Sequence, residues 1–389
     1  MNTQNTPVHI KLWHHEFWEL VVADLLLTMV VYVLIPVMPQ WLLSEQNFTP
    51  QQTGLAMGAF GLGLYLLGAQ CSWLVQHYRR NVVCMWAIVA LGVSVGLLWY
   101  IDSLRSEFVE FWVILVQRLV MGAAFGLAQM VLSSTLIIDT CESYQRTEAN
   151  HSAAWFVRFA LSLGPLAGVL VYAYTDFYTL CLVSAGCALV TVVLIKTVTF
   201  PFRAPEEGVH VASLDRFLLP HGFVLFLNLL LVSTVMGLLL SIPQQPLFYA
   251  QMMAGFLLAL LAQRFVFRDA ELKSEVISGL ILLVAALLVL LAYPASPVAP
   301  LLIGVGVGII GSRFLLFFIK LSRHCQRGTS QSMYFLGWET GLSLGLCAGY
   351  AVFYGHEEGL LYTSLGLVVA ALLMYHLFTH AWFLRNKNR

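Results

Sequence analysis

The chain has 389 residues, of which 59% are hydrophobic and 10% are charged, and its formal net charge at pH 7 is zero. Soluble domains carry about 25% charged residues, so a chain this poor in charge cannot cover a surface that faces water, and its main solvent must be lipid. Basic residues are too few and too scattered to form a phosphate-binding surface, which excludes nucleic acid as a partner.

Twelve stretches are apolar enough and long enough to cross a membrane as helices, which takes about 20 residues each. The first 16 residues are polar and contain no signal-peptide pattern. Helices are expected because lipid offers backbone groups no hydrogen-bond partners, and the sequence lacks the ~10-residue alternation of a membrane barrel. We expect Pro36 and Pro39 to bend the end of span 1. The predicted spans, numbered 1 to 12, cover residues 17–39, 52–75, 82–101, 108–137, 151–174, 177–199, 219–242, 246–265, 275–293, 299–321, 329–353 and 359–383.

Lysine and arginine are distributed unevenly between the loops. If both chain ends are cytoplasmic, fifteen of the twenty basic residues lie on the cytoplasmic side, and the opposite loops hold Arg105 alone. Because positively charged loops stay in the cytoplasm, we predict a multi-pass protein of the inner (cytoplasmic) membrane with both termini inside. The fifteen residues are Lys11, Arg79, Arg80, Arg146, Arg203, Arg216, Arg264, Arg268, Lys273, Lys320, Arg323, Arg327, Arg385, Lys387 and Arg389.

The sequence repeats itself after about 180 residues. QRTEANHSAAWFVRFALSLG at 145–164 and QRGTSQSMYFLGWETGLSLG at 326–345 agree at both ends, and Arg158 aligns with Glu339. Two further pairs support the repeat: GAAFG with GVGVG, at 122–126 and 304–308, and SWLVQHYRR with ALLAQRFVFR, at 72–80 and 259–268.

The repeat predicts two six-helix halves. We place the N-terminal half at residues 1–200, a central cytoplasmic loop at 201–217 and the C-terminal half at 218–389. Parallel six-helix repeats are typical of transporters whose substrate site lies near the membrane midplane between the halves.

Two motifs add a family resemblance. Span 4 contains Arg-x-x-x-Gly at Arg118–Gly122, and span 5 contains part of an antiporter motif. The residues that fit the antiporter motif are Ala160, Gly164, Pro165 and Gly168, while Val169 replaces its final glycine. With the spans, the loop charges and the repeat, the whole chain resembles the major facilitator superfamily, and these motifs resemble its drug- and metabolite-efflux branch.

The loop between spans 2 and 3 departs from the family pattern Gly-x-Leu-x-Asp-Arg-x-Gly-Arg-Arg. Its aspartate is replaced by Gln76, and by Gln263 in the second copy. The positions of the pattern are held here by Ser72, Leu74, Gln76, His77, Arg79 and Arg80. The resemblance implies a cytoplasmic gate made of Gln76, Arg79, Arg80, Gln263 and Arg264, in which amide–guanidinium hydrogen bonds replace a latch between charges.

Five ionisable residues lie within spans, where each is costly unless it faces a cavity or a partner. They are Asp24, Arg118, Arg158, Arg313 and Glu339, in spans 1, 4, 5, 10 and 11. The resemblance implies that these spans line a central cavity. Three cations and two anions leave one positive charge in excess, which suits an anionic or zwitterionic substrate.

Asp24 and Glu339 are the predicted proton-coupling residues. Asp24 either exchanges a proton when a conformational change alters its partner, or forms a static pair with an arginine that locks helix packing. Arg118 is the candidate partner; it either takes that role, binds substrate directly, or clamps nearby carbonyl groups.

The predicted substrate-binding set surrounds the same cavity. Arg158 and Glu339 capture the two ends of the substrate, or else form salt bridges with each other or with other cavity residues. Arg313 binds substrate or extends toward the interface. The set is completed by Trp338, Tyr32, Gln129 and Asn228, for which the alternatives are packing and hydrogen bonds between helices.

The sequence thus predicts an all-α membrane protein that transports a small organic molecule by rocking two halves, as a monomer and by proton-coupled efflux. Proton-coupled uptake of a sugar, nucleoside or organic anion is the alternative within transport. A non-transporting receptor or scaffold on the same fold is the alternative of another class. We predict no enzymatic activity, cofactor or metal site, since no Walker motif or catalytic triad is present and the seven cysteines form no CxxC pair.

Overall fold

The computed structural model describes residues 11–104, 110–142, 144–200, 210–267, 270–323 and 326–388, and regular structure in these ranges is helical. Four residues that entered the loop-charge prediction, Arg105, Arg203, Arg268 and Arg389, lie outside the described residues. Residues 201–209 of the predicted central loop also lie outside them.

The helices form twelve spans that follow the predicted stretches. In the first six, span 1 is α1 (His15–Tyr32) with α2 (Met38–Ser44), span 2 is α3 (Pro50–Gly63) with α4 (Cys71–His77), span 3 is α5 (Arg80–Leu104), span 4 is α6 (Phe111–Val131) with α7 (Ile137–Asp139), span 5 is α8 (Arg146–Tyr174) and span 6 is α9 (Phe177–Thr197). In the second six, span 7 is α10 (Phe223–Ser241), span 8 is α11 (Pro246–Phe265), span 9 is α12 (Leu272–Ala292), span 10 is α13 (Val298–Leu321), span 11 is α14 (Arg327–Ala351) and span 12 is α15 (Glu357–Met374) with α16 (His380–Asn386).

Nine of these spans are individually long and apolar enough to cross a membrane. Spans 1 and 2 are interrupted, and span 11 is less apolar because it carries polar residues such as Gln331 and Glu339. Large apolar side chains such as Trp86, Leu189 and Leu377 are exposed on the outside of the bundle, as expected where lipid is the solvent.

The two halves repeat the same helix contacts. In the first half, span 1 packs on spans 5 and 6, span 4 packs on spans 2 and 3, and span 3 packs on span 6. In the second half, span 7 packs on spans 11 and 12, span 10 packs on spans 8 and 9, and span 9 packs on span 12. Between the halves, span 2 packs on span 11 and span 5 on span 8, which are again equivalent pairs. The internal repeat therefore corresponds to a two-fold arrangement of six-helix halves.

Spans 1 and 2 contain breaks. Span 1 loses its helix over residues 33–37, where Pro36 lies, as the prolines predict. Span 2 is replaced by turns at residues 64–70, which contain no proline. There the carbonyl of Ala69 accepts a hydrogen bond from the backbone N–H of Ser213, 2.9 Å away, so the segment after span 6 satisfies a group that the broken helix has released.

Span 4 contains a π-helical turn at Leu132–Leu136. The hydroxyl groups of Ser133, Ser134 and Thr135 each donate to the carbonyl four residues earlier. Such turns are rare and concentrate at functional sites, and this one begins three residues after Gln129, a predicted site residue.

An even number of spans brings both chain ends to one face of the bundle. We call it the terminal face; it also carries the segment between spans 6 and 7. The other end is called the opposite face.

Candidate functional site

A small cavity lies between the halves, bounded by spans 4, 5 and 11. Its polar lining consists of Gln129 and Ser133 from span 4, Arg158 from span 5, and Gln331, Tyr334 and Glu339 from span 11, and Trp338 adds an aromatic wall. Its volume is about 30 Å³, room for one or two water molecules, whereas small-molecule sites usually measure about 300–1,000 Å³. The structure is therefore a contracted form, in which a solute site has to widen before it is filled.

Arg158 is a buried cation at the edge of this cavity. Its Nη2 donates to the hydroxyl of Tyr334 at 3.3 Å, and its guanidinium carbon lies 4.9 Å from the centre of the Trp155 ring. Its Nε and Nη1 atoms are buried and have no hydrogen-bond partner among the described residues. Gly311 of span 10 makes room for it, since a methyl group at that position would lie 2.8 Å from Nε.

Glu339 connects the halves across the cavity. The Tyr32 hydroxyl of span 1 donates to its Oε1 at 2.5 Å, and both side chains are buried. The neighbouring residue Thr340 hydrogen-bonds to Tyr65 of span 2 at 2.7 Å. With the Arg158–Tyr334 bond, three side-chain hydrogen bonds from the first half end on span 11.

Asp24 lies within the first half and is linked by one hydrogen bond to Gln129, which lines the cavity. Its Oδ1 accepts a hydrogen bond of 2.5 Å from Nε2 of Gln129. Among the described residues Asp24 forms no ion pair with an arginine, which differs from the predicted alternative of a static Asp24–arginine pair. Arg118 instead contacts the sulfur of Met121 at 3.3 Å and the Phe60 ring at 4.9 Å, and its Nε has no partner among the residues described.

Arg313 and Asn228 lie away from the cavity lining. Arg313 of span 10 forms an ion pair with Glu275 of span 9, with 2.5 Å between Nε and Oε2. Asn228 of span 7 donates to the carbonyl of Ala371 in span 12 at 3.0 Å. Both side chains are therefore occupied in packing the second half, which differs from the substrate contact predicted for them.

On the terminal face, the described contacts of Gln76 and Gln263 are with serine hydroxyl groups and not with the arginines of the predicted amide–guanidinium gate. Gln76 donates to Ser72 at 3.3 Å, and its side-chain oxygen has no partner among the described residues. Gln263 accepts from Ser312 at 2.9 Å. Arg80 pairs with Asp139 in span 4, and Arg264 is exposed beside the Phe265 ring. Arg79 is exposed as well.

A carboxylate from the segment between the halves takes the place of the missing loop aspartate. Asp215 accepts hydrogen bonds from Ser72 of span 2 at 3.2 Å and from Thr329 of span 11 at 3.0 Å. The backbone N–H of Arg216 donates to the Thr329 hydroxyl at 2.9 Å. These contacts join the two halves on the terminal face, and we call them the Asp215 latch.

The chain conformation at Arg216 is unusual. Its φ is 57°, in the left-handed region that residues other than glycine rarely occupy. Burial lowers the pKa of its guanidinium from the ordinary value, and the nearby Arg80 cation contributes in the same direction. The segment is thus held in a specific, constrained form against spans 2 and 11.

A second contact joins the halves at the terminal side of spans 5 and 10. The His151 ring lies 2.8 Å from the Ser312 hydroxyl, which in turn donates to Gln263 of span 8. At the opposite face, the Ser162 hydroxyl donates to the carbonyl of Tyr249 at 2.5 Å. Both faces therefore carry contacts that must break before the cavity opens to that side.

Several of these residues were not predicted from the sequence. Gln331 and Tyr334 lie seven and four residues before Trp338, so the helical spacing from Trp338 is a signal that could have identified them as residues on the same face of span 11. His151 lies at the start of predicted span 5 without a distinguishing pattern. Asp215 lies in a loop, where no periodicity indicates which way a side chain points.

Two six-helix halves around a buried polar cavity are typical of membrane transporters built from internal repeats. The chain belongs to the major facilitator superfamily, whose family model, Major Facilitator Superfamily, matches residues 20–346. It is thus a multi-pass membrane protein, and the family points to a transporter of a small molecule rather than to an enzyme. No curated protein matches the chain.

Solved transporters have a similar fold at low sequence identity. A crystal structure of a bacterial homologue of the iron transporter ferroportin, in an outward-facing state, aligns with a TM-score of 0.65 and 15% identity over 95% of this chain and 99% of that chain. The human organic anion transporter MFSD10 (TETRAN) aligns at 0.67 and 16%, over 92% and 98%. The nucleoside transporter NupG aligns at 0.65 and 11%, over 93% and 99%. At these identities the likeness concerns the fold alone.

Proposed function

We propose that the chain is a proton-coupled exporter of a small organic molecule that works by rocking its two halves around the central cavity. The observation that carries the proposal is the hydrogen bond between Tyr32 and Glu339. It links a buried carboxyl group to a residue of the other half, so separation of the halves changes the surroundings of that carboxyl group.

The partners of the two buried carboxyl groups support proton exchange. Glu339 is bonded to a phenol and Asp24 to an amide, and neither forms an ion pair among the described residues. A carboxyl group with a neutral partner can gain or lose a proton without breaking an ion pair. A conformational change that removes the Tyr32 donor would therefore couple proton exchange on Glu339 to movement of the halves.

The direction of transport is supported by the resemblance to the efflux branch and by span 5. Gly164 and Gly168 of its partial antiporter motif lie against Tyr32 and Val33 of span 1, with no room for a larger side chain. We further propose that the terminal face is cytoplasmic, since it carries the excess of basic loop residues, that the protein lies in the inner membrane, and that it works as a monomer.

A metal ion fits the cavity less well than an organic solute. The part of the chain that the structure describes contains no group of three or more His, Cys, Asp or Glu side chains suited to hold a metal. The cavity also presents Arg158, which repels a cation.

The test uses inside-out membrane vesicles enriched in the protein, with an imposed gradient that is acid inside. We expect accumulation of at least one compound from a metabolite and drug panel, collapse of that accumulation with an uncoupler, and a loss of tenfold or more in Asp24→Asn or Glu339→Gln. Glu45→Gln, an exposed acid outside the cavity, is the control and should transport normally. Flux that appears only with the reversed gradient would replace export by uptake. Flux that is independent of any proton gradient would remove proton coupling.

A further inference from the structure

Three buried side chains at the cavity carry polar atoms that have no hydrogen-bond partner among the described residues. Nε and Nη1 of Arg158 are unpaired donors, and Oε1 of Gln129 and Oε1 of Gln331 are unpaired acceptors, counted over the residues that the structure describes. The exposed fractions of these side chains are 5%, 3% and 6%. Buried polar groups in folded proteins are nearly always paired, so three open groups around one cavity indicate a ligand that completes them.

The unpaired donors call for an anion. Within the described ranges no carboxylate lies within ion-pair distance of Arg158, and the acid that lines the cavity, Glu339, already accepts a hydrogen bond from Tyr32. One guanidinium supplies one positive charge, which a single carboxylate balances and a dianionic phosphate exceeds. An Arg–carboxylate contact is also among the stronger hydrogen-bonded pairs.

The unpaired acceptors call for neutral donors close to that anion. Gln129 donates one N–H of its amide group to Asp24, and its amide oxygen has no partner among the described residues. Gln331 presents an open oxygen from the helix that also carries Tyr334, the partner of Arg158. Hydroxyl groups are donors that suit amide oxygens, whereas a ligand with a carboxylate alone would leave both oxygens unpaired.

We propose that the cavity binds a small hydroxylated organic carboxylate, whose carboxylate accepts hydrogen bonds from Arg158 and whose hydroxyl groups donate to Gln129 and Gln331. The proposal rests on the proposed transport function, because only the widened cavity of a transport cycle admits such a solute. In this proposal Arg158 binds the negative charge of the solute, and Gln331 makes the site prefer hydroxylated acids over acids without hydroxyl groups.

The test measures binding directly, as the solute concentration that gives half of the maximal thermal stabilisation of the full chain in lipid nanodiscs. Two matched series serve as probes, so that solute size is varied separately from chemistry. Lactate, propionate and lactamide form the smaller series, and gluconate, hexanoate and glucose the larger one. In each series the first member has carboxylate and hydroxyl groups, the second only the carboxylate and the third only neutral groups.

We expect the first member of at least one series to bind about tenfold or more tightly than its two companions, since each lost partner leaves a buried group unpaired. Arg158→Gln should weaken that binding about tenfold to a hundredfold. Gln331→Ala should remove the preference for the hydroxylated acid while leaving the plain acid unchanged, which a merely structural role would not produce. Arg385→Gln, an exposed arginine at the end of span 12, is the matched control.

The outcomes separate this proposal from the proposed function. Equal binding of acid and neutral members, an Arg158→Gln variant that binds like the wild type, or no binding in either series would overturn the hydroxy-acid assignment. Proton-driven flux of another solute in the vesicle assay would then leave the exporter proposal standing. Binding of hydroxy acids without any proton-linked flux would overturn the exporter proposal and keep the site.

Discussion

A charge inside a lipid-embedded bundle needs compensation, and the five ionisable residues predicted within spans obtain it in three ways. Arg313 has an ion pair with Glu275. Asp24 and Glu339 accept hydrogen bonds from neutral groups. Arg118 and Arg158 rest against aromatic rings and have N–H groups that find no partner in the described part of the chain. The two acids and the two arginines without an ion pair are able to change partners during a transport cycle, whereas the charge of Arg313 is already neutralised.

The Arg313–Glu275 pair should therefore act in folding rather than in substrate binding. Arg313→Met leaves the buried Glu275 without its cation, which should destabilise the protein by about 3–5 kcal/mol, whereas Arg313→Met with Glu275→Met should recover most of that loss. Thermal unfolding in detergent measures the stability, and vesicle transport measures the function. If the double variant folds but does not transport, Arg313 has the substrate role that the sequence predicted.

The sequence correctly identified four of the five charged residues as buried, whereas Arg313 is partly exposed, and it did not identify their partners. The cost of charge in lipid marks such residues from hydropathy alone. Their partners depend on the rotation of each helix and on which neighbouring helix supplies a polar group. Glu275 is the first residue of its predicted span, where a charge is expected to reach water, and so gave no sign of pairing with Arg313.

At the scale of the helices, the contact between spans 1 and 5 depends on missing side chains. A methyl group added at Gly168 would meet the carbonyl of Val33, and one added at Gly164 would lie 2.6 Å from Cβ of Tyr32. Close approach of backbones at small residues is the usual way for helices to pack in lipid. This contact also fixes the position of Tyr32, the donor to Glu339.

Gly168→Ala should force these two helices apart. Overpacking of this kind costs about 1–3 kcal/mol, so we expect a lower unfolding temperature in detergent and slower transport. Gly186→Ala in span 6 is the matched control, because no atom lies within 4 Å of the added methyl group and the change should be tolerated. Equal behaviour of the two variants would contradict the role given to the span 1–span 5 contact.

Helix positions were largely predictable, but one helix break was not. Hydropathy located all twelve spans, and the prolines located the break in span 1. The turns at residues 64–70 contain no proline, and they contact Ser213 and Phe217, whose ring fills the space beside Gly68. A contact from about 150 residues away leaves no periodic signal in either segment.

For the whole molecule, rocking requires that spans 2 and 11 separate at the opposite face. Native Cys347 provides a way to prevent this, since Cβ of a side chain added at Gly58 would lie 3.0 Å from its Cβ and Sγ atoms. Disulfides span a Cβ–Cβ distance of about 3.5–4.5 Å, so Gly58→Cys should form one after a small adjustment.

Under oxidising conditions we expect Gly58→Cys to lose transport, and a reductant to restore it. Mass spectrometry of the linked peptides reports the disulfide, and vesicle flux reports the function. Gly58→Cys combined with Cys347→Ser is the control and should ignore the oxidant. A fully cross-linked protein that still transports would show that this face does not open during the cycle.

The partners of the Asp215 latch determine how closure of the terminal face depends on ionic strength. Its carboxylate lies on the polypeptide that connects the halves, and both of its partners, Ser72 and Thr329, are neutral hydroxyl groups. Re-formation of the latch therefore needs no approach of a second charged group, and we expect its rate to depend less on ionic strength than that of a latch between two opposite charges.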